Sequence, residues 1–279
     1  MTILKEVNQI LEDFHQIVNT GTGLEFDRSK GIKVGVDLGT SSIVLVVLDG
    51  ENRPIFGAFE YADVVKDGLV VNYQRCAEIV RKLKVQAEEA LGCEIKSASG
   101  AIPPGTVGNN KHVVGHVIES ADMMQDQLID EPSAAALILG IKKGAVVDVG
   151  GGTTGISVLQ KGKPIFTADE PTGGTHMTLV LAGHHRIPVE EAELLKRDPA
   201  KAKENFVIVR PVLEKMASIS HRLLNSYNSS PIILVGGAAF FEGSEKIFSR
   251  YLEKEVYKPL VPQYVTPLGI AMSSQIQPL

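Results

Sequence analysis

Apolar side chains at Ile3, Leu4, Val7, Ile10, Leu11, Phe14, Ile17 and Val18 recur at steps of three and four, which lays one stripe along a helix over residues 2–19. Asn19-Thr20-Gly21-Thr22-Gly23 breaks that period, and residues 20–31 read as a linker. The pattern then becomes that of strands. Val34 to Gly39, Ile43–Leu48 and Pro54–Glu60 are apolar runs separated by a glycine turn and by Asp49-Gly50, a hairpin signal. A short extended piece flanks Val70 and Val71 after Asp67-Gly68. Helices are expected over residues 74–91, closed by Gly92, and over Lys111–Asp122, with a strand at Ser97–Ile102 between them that ends at Pro103-Pro104. Glu131–Leu139 reads as a short alanine-rich helix ending at Gly140.

The pattern then starts over. Ala145–Val149, Ile156–Gln160 and Pro164–Ala168 form a second meander, with three glycines in its first turn and Lys161-Gly162-Lys163 in its second. Helices follow at residues 175–183, 188–197 and 206–226, then an apolar strand Pro231–Val235, a helix at 244–255 and a last helical piece around 266–276. This repetition divides the chain into an N-terminal helix and linker (1–31), a first lobe (32–143) and a second (144–279), whose last helix returns to the hinge. Alternating strands and helices imply α/β architecture with covered sheets, and two similar lobes imply a ligand cleft between them.

Composition removes alternatives. A chain of 279 residues with 44% hydrophobic and 22% charged residues is ordinary globular material, long enough to bury the cores of two lobes. A net charge of −5 argues against a nucleic-acid-binding surface. No run reaches the roughly 20 apolar residues of a bilayer span, and the start lacks the pattern of a signal peptide. Cys76 and Cys93 show no metal-ligand spacing and read as reduced thiols, so a cytoplasmic location is expected. The pairs His112/His116 and His184/His185 read as ordinary histidines.

The candidate chemistry sits in the glycine turns. Val36-Asp37-Leu38-Gly39-Thr40-Ser41 and Val147-Asp148-Val149-Gly150-Gly151-Gly152-Thr153 occupy matching places in the two halves. Glycine lets the backbone approach a ligand, successive turn N–H groups bind anions, and Thr and Ser add donors. An Asp before such a turn makes sense as a partner for hydrated Mg2+, since a carboxylate repels phosphate. Glu131-Pro132 starts a helix whose small residues permit close packing, with Glu131 toward the cleft. Gly236-Gly237-Ala238 presents bare backbone to a base or ribose. Gly173-Gly174 either approaches phosphate or simply turns the chain.

These segments, with Pro267-Leu268-Gly269-Ile270-Ala271, resemble in order the fingerprint of the actin, sugar-kinase and heat-shock-chaperone ATPase superfamily, over about residues 33–275. More narrowly, Val65-Lys66-Asp67-Gly68-Leu69-Val70-Val71, Asp130-Glu131-Pro132, Gly173 to Thr178 and Pro188 to Glu193 resemble the EutJ family of ethanolamine-utilisation proteins. That family is chaperone-like, is encoded with the parts of a protein-shelled bacterial microcompartment, and has pilus-assembly and cell-division actin homologues among its relatives. The resemblance implies an actin-like, ribonuclease H-like duplicated fold that closes on ATP or ADP with Mg2+. Asp37 and Asp148 would hold the metal. Gly39, Thr40, Ser41, Gly150, Gly151, Gly152 and Thr153, with Gly173 and Gly174, would cradle phosphates. Glu131 would orient or deprotonate water, and Gly236, Gly237 and Ala238 would face the adenosine.

Two departures stand against fast turnover. Where the chaperones carry an Asp after the threonines of the second loop, this chain has Gly155; and the stretch from Gly174 to Val235 is short, with no match to the chaperones' charged adenosine contacts. The implied function is a chaperone-like, slow ATPase acting on or assembling a microcompartment enzyme. Its client would be a cobalamin-dependent ammonia-lyase or the shell proteins. The alternatives are an actin-like or pilus-type scaffold using nucleotide as a clamp and, less favoured for want of a substrate loop, a small-molecule kinase. The N-terminal stripe would either pack on the protein's own surface or dock a partner.

Overall fold

A computed structural model describes residues 4–66, 69–102 and 110–279. Ile3, the Asp67-Gly68 turn and Pro103-Pro104 lie outside the described residues. After helix α1 (Lys5–Ile17), the first sheet is built from β1 (Ile32–Leu38), β2 (Ser42–Asp49) and β3 (Pro54–Tyr61), joined by β6 (Ser97–Ile102) and β7 (Met124–Asp130). A small hairpin, β4 (Val65–Lys66) with β5 (Leu69–Val70), and helices α2 (Tyr73–Leu91) and α3 (Asn110–Ser120) lie between these strands in the chain. Helix α4 (Glu131–Leu139) leads to the second sheet of β8 (Gly144–Val149), β9 (Thr154–Gln160), β10 (Lys163–Glu170), β11 (Ile232–Val235) and β12 (Val256–Tyr257). Helices α5 (Gly174–His185), α6 (Val189–Arg197), α7 (Ala202–Leu224) and α8 (Ser244–Leu252) cover it, and α9 (Val265–Ser273) closes the described elements.

The two sheets have one topology. Their strand orders are β3-β2-β1-β6-β7 and β10-β9-β8-β11-β12, the first three antiparallel and the last two parallel in each. The fifth strand of each sheet was not expected from the sequence. In β7, Gln125, Asp126 and Gln127 interrupt the apolar pattern because the strand lies at an edge, and β12 is only two residues long. The remaining boundaries differ from the expected ones by a few residues at element ends, where capping rather than periodicity decides.

Central strands are covered on both faces, so their apolar runs are nearly continuous. In β2, Ile43, Leu45 and Val47 face a core with α2 and α3, whereas Val44, Val46 and Leu48 face a second core shared between the sheets. The second sheet does the same: Ala145, Val147, Ile232 and Leu234 face its own helices, while Val146, Ile233 and Val235 enter the shared core. That shared core is filled by α4 and α9, through Ala135, Ala136, Ile138, Leu139, Val265, Leu268 and Ala271. The two helices touch through backbone: a Cβ on Gly269 would overlap the carbonyl of Ala134. Beyond α9 the chain crosses back to the first sheet. Gln277 exchanges backbone hydrogen bonds with Ile32, its Oε1 accepts from the Lys96 N–H at 2.8 Å, and its Nε2 donates to the Ser97 carbonyl at 3.0 Å.

Of the two readings of the N-terminal stripe, packing on the protein's own surface is what the structure contains. Val7, Leu11 and Phe14 of α1 are buried in the shared core, and Leu11 and Phe14 are 0% exposed. The Phe14 ring fills the space a side chain would take at Gly57 of β3 and meets Tyr264 edge-on at 5.0 Å. Asn8 Oδ1 accepts from the Leu260 N–H at 3.0 Å, so α1 bridges the first sheet and the segment before α9. No described helix is long and apolar enough to cross a membrane.

Phe14→Ala should therefore destabilise the protein by about 3–5 kcal/mol in denaturant titrations, and deletion of residues 1–19 should leave an aggregating core. A soluble truncation of undiminished stability would show that α1 is dispensable packing.

Candidate functional site

The duplicated sheets meet across a cavity of about 320 Å3. The β1–β2 turn contributes Gly39, Thr40 and Ser41 to it, and the β8–β9 turn contributes Gly150, Gly151, Gly152 and Thr153. Asp37 and Asp148 stand at matching positions near the ends of β1 and β8, so the topology that repeats the sheets also brings the two carboxylates to one cleft. Glu131 enters from the first turn of α4. The side chain of Asp130 caps that helix by accepting the Ser133 N–H at 3.0 Å, and Pro132 sits where a helix tolerates proline. Gly236, Gly237 and Ala238, which follow β11, complete the wall with Thr266 of α9. The two turns face each other at contact distance: a side chain at Gly151 would collide with the Ser41 hydroxyl. Gly236 adopts φ 95°, and a side chain there would strike Asp148, so only glycine fits.

The electrostatics are those of a site short of positive charge. Burial, and then Asp148, push the Asp37 carboxyl up to about 7. Burial raises Asp148 to about 6 with a contribution from Asp169, although the Thr266 hydroxyl donates to its Oδ2 at 2.6 Å and opposes the rise. Glu131 is raised well above the ordinary carboxylate range by burial and by the charges of Asp148, Asp37, Asp169 and Asp130. Among the described residues no three acids are placed to grip a metal ion directly, so these carboxylates, beside hydroxyls and bare backbone, fit a divalent cation that keeps its water shell and the anion it accompanies.

The structure departs from the sequence reading in two places. Gly173 does not line the cleft. A side chain there would meet the carbonyls of Gly150 and Gly151, and the N–H groups of Gly174 and Thr175 donate to those same carbonyls at 2.9 and 2.8 Å. The glycine pair thus buttresses the second turn from behind, and only Gly174 reaches the cavity. The second departure is a charged wall that the sequence reading missed. Glu193, Lys196 and Arg197 of α6 line the cavity. Glu193 accepts from Lys196 Nζ at 2.6 Å, from Arg197 Nε at 2.8 Å and from the Thr178 hydroxyl. Burial opposes its ionisation, but Lys196, Thr178 and Arg197 together hold the Glu193 carboxyl below its ordinary range. Burial lowers the Lys196 ammonium. The Arg197 guanidinium lies 3.7 Å from the centre of the Tyr61 ring, so the second lobe's helix contacts the first lobe's β3 across the cleft mouth. Spacing of i, i+3 and i+4 on one helix was the available signal.

Comparison with known proteins places this geometry. Residues 145–269 match the family model of cell division protein FtsA, and residues 63–185 that of Hsp70 protein. The structure of MreB5 of Spiroplasma citri bound to AMPPNP superposes with a TM-score of 0.69 at 15% identity, covering 86% of this chain and 94% of that one. The fold is that of the actin-like ATPases, two α/β lobes about a cleft. Within that class, ethanolamine utilization protein EutJ of Salmonella typhimurium is 40% identical over 243 residues, 87% of this chain and 85% of the relative. The crystal structure of EutJ from Carboxydothermus hydrogenoformans is 50% identical with a TM-score of 0.90, covering 96% of this chain and 98% of that one. The chain belongs to the EutJ family.

The buried acids set a pH dependence. Asp148 has a folded value of about 6 against 3.8 for the free side chain, so it favours the folded state while protonated. That contribution is whole below pH 3.8 and is lost as pH rises through about 6. In chelator, wild-type protein should lose on the order of 2 kcal/mol more stability than Asp148→Asn between pH 4.5 and 7.5. Parallel denaturation curves for the two proteins across that range would contradict the burial of the charge.

Proposed function

We propose that this protein binds Mg2+–ATP between its lobes, hydrolyses it slowly, and uses the change in lobe closure to act on a protein client in ethanolamine utilisation. The observation that carries this reading is the convergence of two duplicated glycine turns and three carboxylates on one cavity. The nucleotide named in the MreB5 structure, and the Hsp70 match over part of the chain, support the same reading.

Each residue then has a task that its position suits. The N–H groups and hydroxyls of Gly39, Thr40, Ser41 and Gly150 to Thr153 would hold phosphate oxygens. Asp37 and Asp148 would hold Mg2+ through its water, and the metal would neutralise the phosphate charge and the acids that now crowd one another. Glu131, ionised once a bound cation offsets its acidic neighbours, would accept a proton from water as a general base. Gly236, Gly237 and Ala238 would lie against the nucleoside, with the Glu193–Lys196–Arg197 wall opposite.

Closure would pass through α4 and α9, which join the lobes. A client can respond only if its affinity differs between the open and closed states. The family's name supports a role in ethanolamine utilisation and the Hsp70 match a chaperone-like one; on this reading the client would be an enzyme housed in a bacterial microcompartment.

Phosphate release from Mg2+–ATP by the purified protein tests this reading. Glu131→Gln should lower the rate by about 10²–10⁴-fold while leaving ADP binding within a few-fold. Tight nucleotide binding with no release from the wild type would instead make this a structural clamp, and absence of binding would remove the reading of the glycine turns.

A further inference from the structure

Gly155 follows the two threonines of the second glycine turn, and nothing in its backbone demands glycine. Its φ lies outside the left-handed region, and a Cβ built on it would meet only Asp169 Oδ1 at 3.8 Å and Pro132 Cγ at 3.9 Å, both ordinary contacts. What the missing side chain leaves is room beside the residue that follows Glu131. Asp169 of β10 is paired directly opposite Gly155 of β9, and residues directly opposite on an antiparallel pair project to the same face. The Asp169 carboxylate therefore borders the space that a side chain at 155 would occupy, and its Oδ1 is shielded from solvent.

Neighbouring contacts fix this placement. The Thr154 hydroxyl donates to the Thr172 carbonyl at 2.6 Å and is fully buried, which ties β9 to the chain just past β10. Glu170, the next acid along β10, belongs to a different environment, where Arg222 pairs with it at 3.4 Å. Asp169 is not part of the cavity lining, but it stands on the same sheet face as Asp148, two strands away, with Gly155 paired directly between them, and its charge bears on both Glu131 and Asp148.

We propose that Asp169 is a fourth acid of the Mg2+–nucleotide site, a positioning residue that borders, from the adjacent strand, the space Gly155 leaves open and orders the metal's hydration beside Glu131. The inference rests on the nucleotide reading above. It also assigns the glycine a purpose: the acid absent from β9 is supplied by the neighbouring strand, and a side chain longer than a methyl group at 155 would press on it.

The test is a relocation of the carboxylate, read by the Mg2+ dependence of ADP binding and by phosphate release. Removal of an outer partner of a metal site costs about 10–100-fold in metal affinity or activity. Asp169→Asn, which keeps the shape, and Asp169→Gly should each weaken Mg2+-dependent ADP binding by about tenfold or more. ADP binding in chelator should stay at the wild-type level. The double variant Gly155→Asp/Asp169→Gly returns the acid to the same space and should recover most of the loss.

Wild-type Mg2+ dependence in Asp169→Asn would overturn the proposal, as would a loss that the double variant does not recover although it melts within a few degrees of Asp169→Gly. If Asp169→Gly or the double variant does not fold, the isosteric Asn variant decides alone. Failure of wild-type protein to bind ADP at all would mark failure of the nucleotide reading itself, a separate result from normal wild-type binding with an indifferent Asp169.

Discussion

Two short helices touching through their backbones set the geometry of everything else. Gly269 of α9 lies so close to the carbonyl of Ala134 in α4 that no side chain fits between them. At that approach the helices fill one core common to both sheets, and the turns that follow β1 and β8 are left facing each other across a narrow cleft. The contact joins the lobes and also meets the site directly, because Glu131 starts α4 and Thr266 in α9 holds Asp148. A change in the angle between the helices would therefore move carboxylates as well as lobes. Helix α1 is tied to the same assembly, since Phe14 packs on both Gly57 and Tyr264, and Tyr264 itself lines the cavity.

The acids show how the site is poised. Asp37, Asp148 and Glu131 are brought to one cavity by two strands and a helix, with Asp169 two strands away from Asp148; Glu131 feels the charge of the other three, Asp37 that of Asp148, and Asp148 that of Asp169. A hydrophobic fold tolerates such crowding only where a cation or protons relieve it. The opposite wall is the reverse case. Glu193 is held ionised by Lys196 and Arg197, and the cluster satisfies itself. One wall thus asks for a cation, and the other presents preformed, paired charge to whatever lies against it.

Much of this was legible in the sequence because the fold is a duplication. The recurrence of Asp, glycine turn and hydroxyl in two similar strand contexts named Asp37, Asp148 and both turns before any contact was known. The five strands of each sheet were not all visible. Pairing in the sheet makes β7 a strand despite its Gln125-Asp126-Gln127 interruption, and two residues such as Val256 and Tyr257 carry no period. Gly173 looked like its neighbour Gly174, and only the hydrogen bonds to Gly150 and Gly151 separate a buttress from a lining residue. Asp169 and the Glu193–Lys196–Arg197 wall were hidden for a related reason. Their meaning comes from strand register and helix face, which bring them to residues far away in the chain.

The proposed function requires the two glycine turns to grip one nucleotide together. Isothermal titration of Mg2+–ADP into the wild-type protein and into Gly151→Val tests it most directly. One nucleotide per chain is expected for the wild type, and loss of at least most of that affinity when a side chain is forced between Gly151 and Ser41 in a protein that still folds. Equal binding by both proteins, or no binding by either, would contradict it.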